Sequence, residues 1–368
     1  MGYGELFGCI STSYLTAIDI NIIPIPLLYI PLIRPLAMSF IPRVLAPGRT
    51  RLARVAVTAP RSLFSSSAGL CSPSKSSFNP HDIHNVTHSP DHIQSKLPAK
   101  ELLRNNHRFS EFDLEGRVYA ITGGGRGLGL SMAEALIEAG AKVYCLDRLE
   151  SPHPDFLVAQ QKAKSDYGCS LEYIRIDVRN NIEVNNTFAA IAAQEERLDG
   201  LIAAAGINHL QSALEHSQQA LDEVMSINYT GVFNSATAAA RQMFKYQQTG
   251  SILLVASMSG LIANKGMTSP VYNSSKAAVI QLGRSLAMEW GRHGIRVNSL
   301  CPGHIITPMV DEVFRQNPAA RATWEAENML GRLAMPEEFR GTALFCLSDA
   351  SSFMTGSTLL IDGGHTAW

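Results

Sequence analysis

From about residue 112 onward, short runs rich in Val, Ile and Leu alternate with longer segments of helical character, and this rhythm constrains the fold more than any other feature. The runs are RVYAI (117–121), AKVYCL (141–146), LEYIRI (171–176), GLIAAA (200–205), SILLVA (251–256), IRVNSL (295–300) and STLLI (357–361). Helices are expected between them at 127–139, about 155–167, 181–195, 218–246, 270–291 and 336–348. Strands this apolar need covering on both faces, so the alternation predicts a parallel sheet between two helical layers. Right-handed crossovers then give an α/β, doubly wound, Rossmann-like sheet of about seven strands. One domain over residues 112–368 accommodates the whole pattern, and no fixed-period repeat interrupts it.

Upstream the composition changes. Residues 21–80 carry Arg34, Arg43, Arg49, Arg51, Arg54, Arg61 and Lys75 and no acidic side chain. The segment from Met38 is arginine- and serine-rich and spaced with apolar residues, the composition of a mitochondrial transit peptide. Residues 1–71 are therefore expected to be an extension outside the fold, with Met38 a candidate true start. A plain unstructured tail is the alternative. Residues 72–111, rich in Ser, Pro, Asn and His, have the character of a polar linker. Within it His81, His84, His88 and His92 would share one helical face, but Pro80 precedes them and Pro90 interrupts them, so solvated linker is the better reading than a metal site.

Apolar runs long enough to span a membrane are broken by proline, and a net charge of −1 gives no reason to expect a nucleic-acid partner. The six cysteines form no CxxC pair, as in a reduced, intracellular protein.

The first strand runs into ITGGGRGLG, residues 121–129, at the start of a predicted helix. On such a sheet Gly123 would permit a tight turn, Gly127 a close approach of backbone to a ligand, and Gly129 close packing of helix on strand. Backbone N–H groups at that helix start then face outward to a pyrophosphate, with Gly125, Arg126, Gly127 and Leu128 among the candidate cofactor-binding residues. Eighteen residues past Gly129, the second strand ends at Asp147, whose carboxylate can accept both adenosine ribose hydroxyls and repel a 2′-phosphate. That favours NAD. Arg148, helped by Arg126, would instead suit the 2′-phosphate of NADP.

VYNSSKAAV (271–279) sets Tyr272 and Lys276 one helical turn apart. A tyrosine acting as a base near neutral pH needs its pKa lowered by about 3 units, or roughly 4 kcal/mol. An ammonium about 4 Å away supplies approximately that at an effective dielectric near 20. Tyr272 can then take a proton from an alcohol and return it in the reverse direction.

Together these motifs resemble the short-chain dehydrogenase/reductase family. TGGGRGLG is similar to its cofactor turn and YNSSK to its active-site tetrad segment, while Asp177–Val178, Asn228 in INYTGVF, Ser257 in VASMSG, Pro302–Gly303 and the terminal IDGG match further signatures. The resemblance implies that Ser257 hydrogen-bonds the substrate oxygen and that Asn228 holds water in a proton relay through Lys276. Ser259 competes for the serine role, since it lies 13 residues before Tyr272 and Ser257 lies 15 before. Ser257 is preferred because it directly follows the strand. Asp177, Val178, Ala205, Gly206, Asn228, Tyr272, Lys276, Ile305 and Thr307 complete the implied cofactor contacts. The family's Asn-Asn-Ala-Gly is here Ala203–Ala204–Ala205–Gly206, which implies lost bracing and lower stability.

The ASMSG segment and its continuation resemble the fungal polyol dehydrogenases of the family, which implies a sugar alcohol/ketose pair as substrate. Asn208, His209, Ser259, Asn264 and His304 would suit a hydroxylated molecule. Met258, Met267, Met309 and Trp324 would suit the alternative, a 3-oxoacyl or secondary-metabolite carbonyl reductase. A nucleotide-binding scaffold without turnover is a third reading, disfavoured by the intact set Asn228, Ser257, Tyr272 and Lys276. The resemblance also implies a homotetramer through helices 218–246 and 270–291.

Overall fold

A computed structural model describes residues 109–368. The proposed transit peptide, the candidate start at Met38, the histidine run at 81–92 and nearly all of the linker lie outside the described residues.

The described chain forms one seven-stranded parallel sheet: β1 (Val118–Thr122), β2 (Lys142–Asp147), β3 (Leu171–Arg175), β4 (Gly200–Ala203), β5 (Gly250–Val255), β6 (Ile295–Pro302) and β7 (Thr358–Ile361). Their order is β3-β2-β1-β4-β5-β6-β7. The direction of winding reverses between β1 and β4, where Thr122 pairs with Ala203. At such a reversal the connections leave the strand tips in opposite directions and open a crevice.

Period-2 alternation sends neighbouring side chains into different layers. Val118, Ala120, Tyr144 and Leu146 enter one core, while Tyr119, Ile121, Val143 and Cys145 enter the other. Helices α1 (Gly127–Glu138), α2 (Pro154–Asp166), α3 (Asn181–Glu195), α4 (Gln218–Met225), α5 (Val232–Lys245), α6 (Pro270–Trp290) and α9 (Arg340–Leu347) alternate with the strands. Two short helices the sequence pattern did not announce, α7 (Pro308–Gln316) and α8 (Ala319–Ala326), lie between β6 and β7. Trp324 and Ala320 of α8 bury against Leu333 with Met267, Ile306 and Phe314, a third and smaller core.

The segment expected as one helix over 218–246 is interrupted. Between α4 and α5 the chain makes a π-helical turn at Ser226–Gly231, carrying the buried Asn228. Wide turns of this kind are uncommon and concentrate at functional sites. All four cysteines among the described residues are unpaired.

Candidate active site

The loop after β1 has the geometry of an anion cradle. Gly123 has φ +71°, and a Cβ there would stand 2.7 Å from the backbone nitrogen of Ala205, across the reversal point. No other residue can make that turn without displacing β4's exit loop. Gly127 has φ +58° and would point a Cβ into open space. A Cβ on Gly129 would collide with the Gly123 carbonyl. Helix α1 has no side-chain cap and no acidic residue in its first turn, whereas Asn180 and Ser217 cap α3 and α4. Its leading N–H groups are thus left for an outside acceptor, as a dinucleotide pyrophosphate requires.

Asp147 ends β2 beside this loop. Its Oδ2 accepts the Gly125 N–H at 3.1 Å and its Oδ1 accepts the Leu149 N–H at 3.3 Å. Arg126 and Arg148 are exposed, and neither guanidinium is hydrogen-bonded within the described residues. Asp177 is engaged by Arg179, whose Nε lies 2.9 Å from both carboxylate oxygens. That bidentate partner holds the Asp177 carboxyl below the usual carboxylate range. Val178 is buried beneath Gly231 of the π turn.

The loop leaving β4 carries Ala205 and Gly206. With alanines in place of asparagines, Thr122 holds this exit: its carbonyl accepts the Ala204 N–H at 3.0 Å and its hydroxyl the Ala205 N–H at 3.5 Å. Ala203 itself is fully buried in the core. Further along, Asn228 accepts the Ile207 N–H and donates to the Ile207 carbonyl, both at 2.9 Å. Its second amide proton goes to Ser275 Oγ at 3.1 Å, and Ser275 donates to the Tyr272 carbonyl at 2.7 Å. The Asn228 side chain is therefore a clamp joining the β4 exit, the π turn and the head of α6. Both its amide protons are used, so its side chain has no donor left for a relay water. Ser275 carried no signal of its own in the sequence beyond its place inside YNSSK.

Tyr272 lies in the first turn of α6, which opens with Pro270 at a position where a missing N–H costs nothing. Lys276 is buried, and its Nζ donates to the Val255 carbonyl at the end of β5 at 2.9 Å. From there the ammonium sits 5.8 Å from the centroid of the Tyr272 ring. Burial lowers the Lys276 pKa to about 8 and raises that of the Tyr272 phenol. A hydrogen bond from Ser257 opposes the rise at the phenol. Ser257 follows β5 and caps the short turn Met258–Gly260 by accepting the Ser259 N–H at 3.1 Å. Ser259 is turned elsewhere, its hydroxyl accepting from Asn264 Nδ2 at 2.6 Å. Burial pushes the thiol of Cys301, near the end of β6, up to about 11, with the Ser257 backbone acting against the rise.

Beyond β6, Ile305 is buried and bridged to Ala334, and Thr307 caps α7 by accepting the Val310 N–H at 3.4 Å. His304 stacks flat on Trp324 at 4.2 Å between centroids and meets His365 of the C-terminal tail edge-on at 5.1 Å. Burial brings the His304 pKa down to about 4. Met258 is buried in the turn after β5 and Met267 packs into the third core, while the Met309 side chain is outside the described set.

A family model described as enoyl-(acyl carrier protein) reductase matches residues 123–366. A relative from Aspergillus versicolor, named short chain dehydrogenases/reductase notP', is 44% identical over 262 residues, covering 70% of this chain and 89% of that protein. The chain belongs to the short-chain dehydrogenase/reductase family.

A second relative within the family, a ribulose-forming D-arabinitol 2-dehydrogenase from Candida albicans, is 34% identical over 70% of this chain and 95% of its own length. Among solved structures, a gluconate 5-dehydrogenase from Burkholderia cenocepacia in complex with NADP and tartrate superposes with a TM-score of 0.65 at 31% identity, covering 71% of this chain and 100% of that one. This short-chain dehydrogenase/reductase is an oxidoreductase whose homologues use NAD(P) and act on small molecules, polyols among them. No helix among the described residues is long and apolar enough to cross a membrane.

Proposed function

We propose that this short-chain dehydrogenase/reductase interconverts a secondary alcohol and a ketone, with a polyol/ketose pair as its substrate and Tyr272 as the acid/base. The observation that carries the proposal is the buried Lys276 Nζ held 5.8 Å from the Tyr272 ring, with Ser257 near enough to lower the pKa of the same phenol. A cation beside the ring favours phenolate, the direction a tyrosine base needs, and works against the burial that raises the phenol's pKa. The Ser257 hydrogen bond contributes in the same direction.

In oxidation Tyr272 takes the hydroxyl proton, Ser257 holds the oxygen as it becomes a carbonyl, and Lys276 keeps the phenolate accessible. In reduction the same phenol returns the proton. A nicotinamide, when bound, supplies the hydride chemistry. The residues that would hold the dinucleotide are the 123–129 loop, Asp147, Val178, Ala205–Gly206, Ile305 and Thr307. We favour NAD, because Asp147 stands at the strand tip with its carboxylate fixed by two backbone N–H groups. The free guanidinium groups of Arg126 and Arg148 support NADP as the second reading. A kcat/KM ratio that strongly prefers NADPH over NADH would reverse the choice.

The decisive experiment is turnover of the purified full chain with NAD⁺ across C4–C6 polyols and, in the reductive direction, 3-oxoacyl thioesters. Tyr272→Phe should lose activity by about 10³-fold while still binding cofactor. A phenylalanine variant as active as a turning-over wild type would remove Tyr272 from the chemistry, and no turnover by wild type would leave the non-catalytic scaffold. The mitochondrial location rests on the composition of the segment after Met38, and the tetramer on family likeness. Exposed Phe233, Phe244 and Met288 on α5 and α6 are suited to a subunit contact.

A further inference from the structure

We propose that Asp362 is a positioning residue: it folds the end of the chain back against the exit of β6 and so fixes the segment 303–307 for the nicotinamide half of the cofactor. This rests on the reading of Ile305 and Thr307 as cofactor contacts. β7 ends at Ile361, whose carbonyl accepts the Gly303 N–H at 2.8 Å. The next residue packs so closely that a Cβ on Gly303 would stand 2.6 Å from Asp362 Cα. The chain then turns back through Gly363 and Gly364, at φ +65° and +82°, a conformation glycine adopts without strain.

Asp362 holds that turn shut. Its Oδ1 accepts the Gly364 N–H at 3.0 Å, and its Oδ2 accepts the Thr366 N–H at 2.9 Å and the Thr366 hydroxyl at 2.7 Å. Burial acts to raise the pKa of this carboxyl, but the bonds bring it below the ordinary range, so it stays an ionised acceptor. The folded tail grips the β6 exit and α8 together. His365 meets the His304 ring edge-on at 5.1 Å, and Trp324 of α8 stacks on the same ring at 4.2 Å. Just past α8, the Gly363 carbonyl accepts the Leu330 N–H and Trp368 Nε1 donates to the Glu327 carbonyl, both at 3.1 Å. On the other side Ala334 donates to the His304 carbonyl at 3.0 Å and accepts the Ile306 N–H at 2.8 Å. The segment is thus held between the tail and Ala334, and Asp362 supplies one of the two supports.

Topology decides which half of a dinucleotide this support serves. The glycine loop lies at the reversal between β1 and β4, with Asp147 on one side of it at the tip of β2. The β6 exit lies on the other side, next to Ser257, where Ala256 donates to the Leu300 carbonyl at 2.7 Å. β2 and β6 are four strand spacings apart, about 19 Å. A ribose at Asp147 is out of reach of residues 303–307, so the tail acts on the half that lies beside Tyr272.

The test measures, by calorimetry on the purified full chain, binding of NADH and of ADP-ribose, which lacks the nicotinamide. NADPH and 2′-phospho-ADP-ribose serve as the pair if the enzyme prefers NADP. Asp362→Ala should weaken the dinucleotide by about 10-fold or more and leave the ribose fragment within about 2-fold. Asp362→Asn keeps an acceptor for the Gly364 N–H and should recover part of the affinity. If the alanine variant fails to fold, Asp362→Asn and Trp368→Phe carry the test, each weakening the dinucleotide alone by about 3-fold. In the cofactor-free protein, hydrogen exchange at the Gly303, Ile306 and Leu330 amides should quicken by about 10-fold in Asp362→Ala while β1 amides keep their rates. Equal losses for both ligands, or none for either, overturn the proposal and leave the tail a structural element. A wild type that binds the dinucleotide with this contrast but turns over no alcohol keeps the proposal and removes the catalytic reading. A wild type that binds no dinucleotide removes both.

Discussion

Asn228 grips one residue through both its backbone groups: its Oδ1 accepts the Ile207 N–H and its Nδ2 donates to the Ile207 carbonyl, each at 2.9 Å. Asn228 is fully buried and Ile207 half-buried, so water is a poor substitute for these bonds. Asn228→Ala would strand two backbone groups and should destabilise the fold by about 2–4 kcal/mol in chemical denaturation. A loss below about 1 kcal/mol would mean that other contacts hold the 205–208 loop.

Two glycines of the cofactor turn should separate stability from binding. Gly123→Ala forces a Cβ against the Ala205 backbone at 2.7 Å with φ +71°, and should cost about 3 kcal/mol or more of stability. Gly127→Ala meets no protein atom and should cost only about 1 kcal/mol for its positive φ. Its methyl would project where the pyrophosphate approaches, so cofactor affinity should fall by about 10-fold or more. Equal stability losses with equal affinities would show that the turn is structural only.

The two serines should behave unequally. Ser257→Ala removes the hydrogen bond to Tyr272, whereas Ser259→Ala removes the partner of Asn264. In steady-state kinetics kcat for a given polyol should fall at least about 10-fold further for Ser257→Ala. The opposite order would transfer the substrate-oxygen role to Ser259.

Lys276→Met should move the pH dependence of alcohol oxidation. Removing the cation that sits 5.8 Å from the phenol ring centroid withdraws phenolate stabilisation, on the order of one pH unit or more at about 1.4 kcal/mol per unit. The rising limb should shift to higher pH by that amount. An unmoved limb would show that Lys276 only supports α6 through Val255.

His304 should make the fold acid-sensitive. Burial, with His365 adding to it, lowers its pKa from 6.5 to about 4. As pH falls through that window the unfolded chain takes the proton first, so folded stability declines by up to about 3 kcal/mol. Above pH 6.5 the ring is neutral in both states and contributes no slope. His304→Phe, which keeps a ring on Trp324, should flatten urea-unfolding stability between pH 6.5 and 4. Parallel slopes for variant and wild type would assign the acid sensitivity to other groups.

Much of this was legible in the chain itself. The seven strands lie where period and composition put them, because a sheet covered on both faces leaves polar residues almost no place within a strand. The glycine turn, Asp147 at a strand tip, and Tyr272 with Lys276 one helical turn apart are local patterns whose geometry follows from spacing. The π turn at Ser226–Gly231 was not legible, since the helical pattern of 218–246 continues through it. Nor were α7 and α8. Helices of 9 and 8 residues are marginal alone and form here because Trp324 and its neighbours bury together.

The chain by itself determined the sheet, its covering and the one-turn spacing of Tyr272 and Lys276, all of which depend on residues near one another in sequence. Only the tertiary structure decided that Ser259 bonds Asn264, that Thr122 holds the N–H groups of Ala204 and Ala205, and that Asn228 spends its side chain on Ile207 and Ser275. Each of those is a hydrogen bond whose partners only folding brings together. Partners of that kind are selected by burial and distance, which no local periodicity encodes.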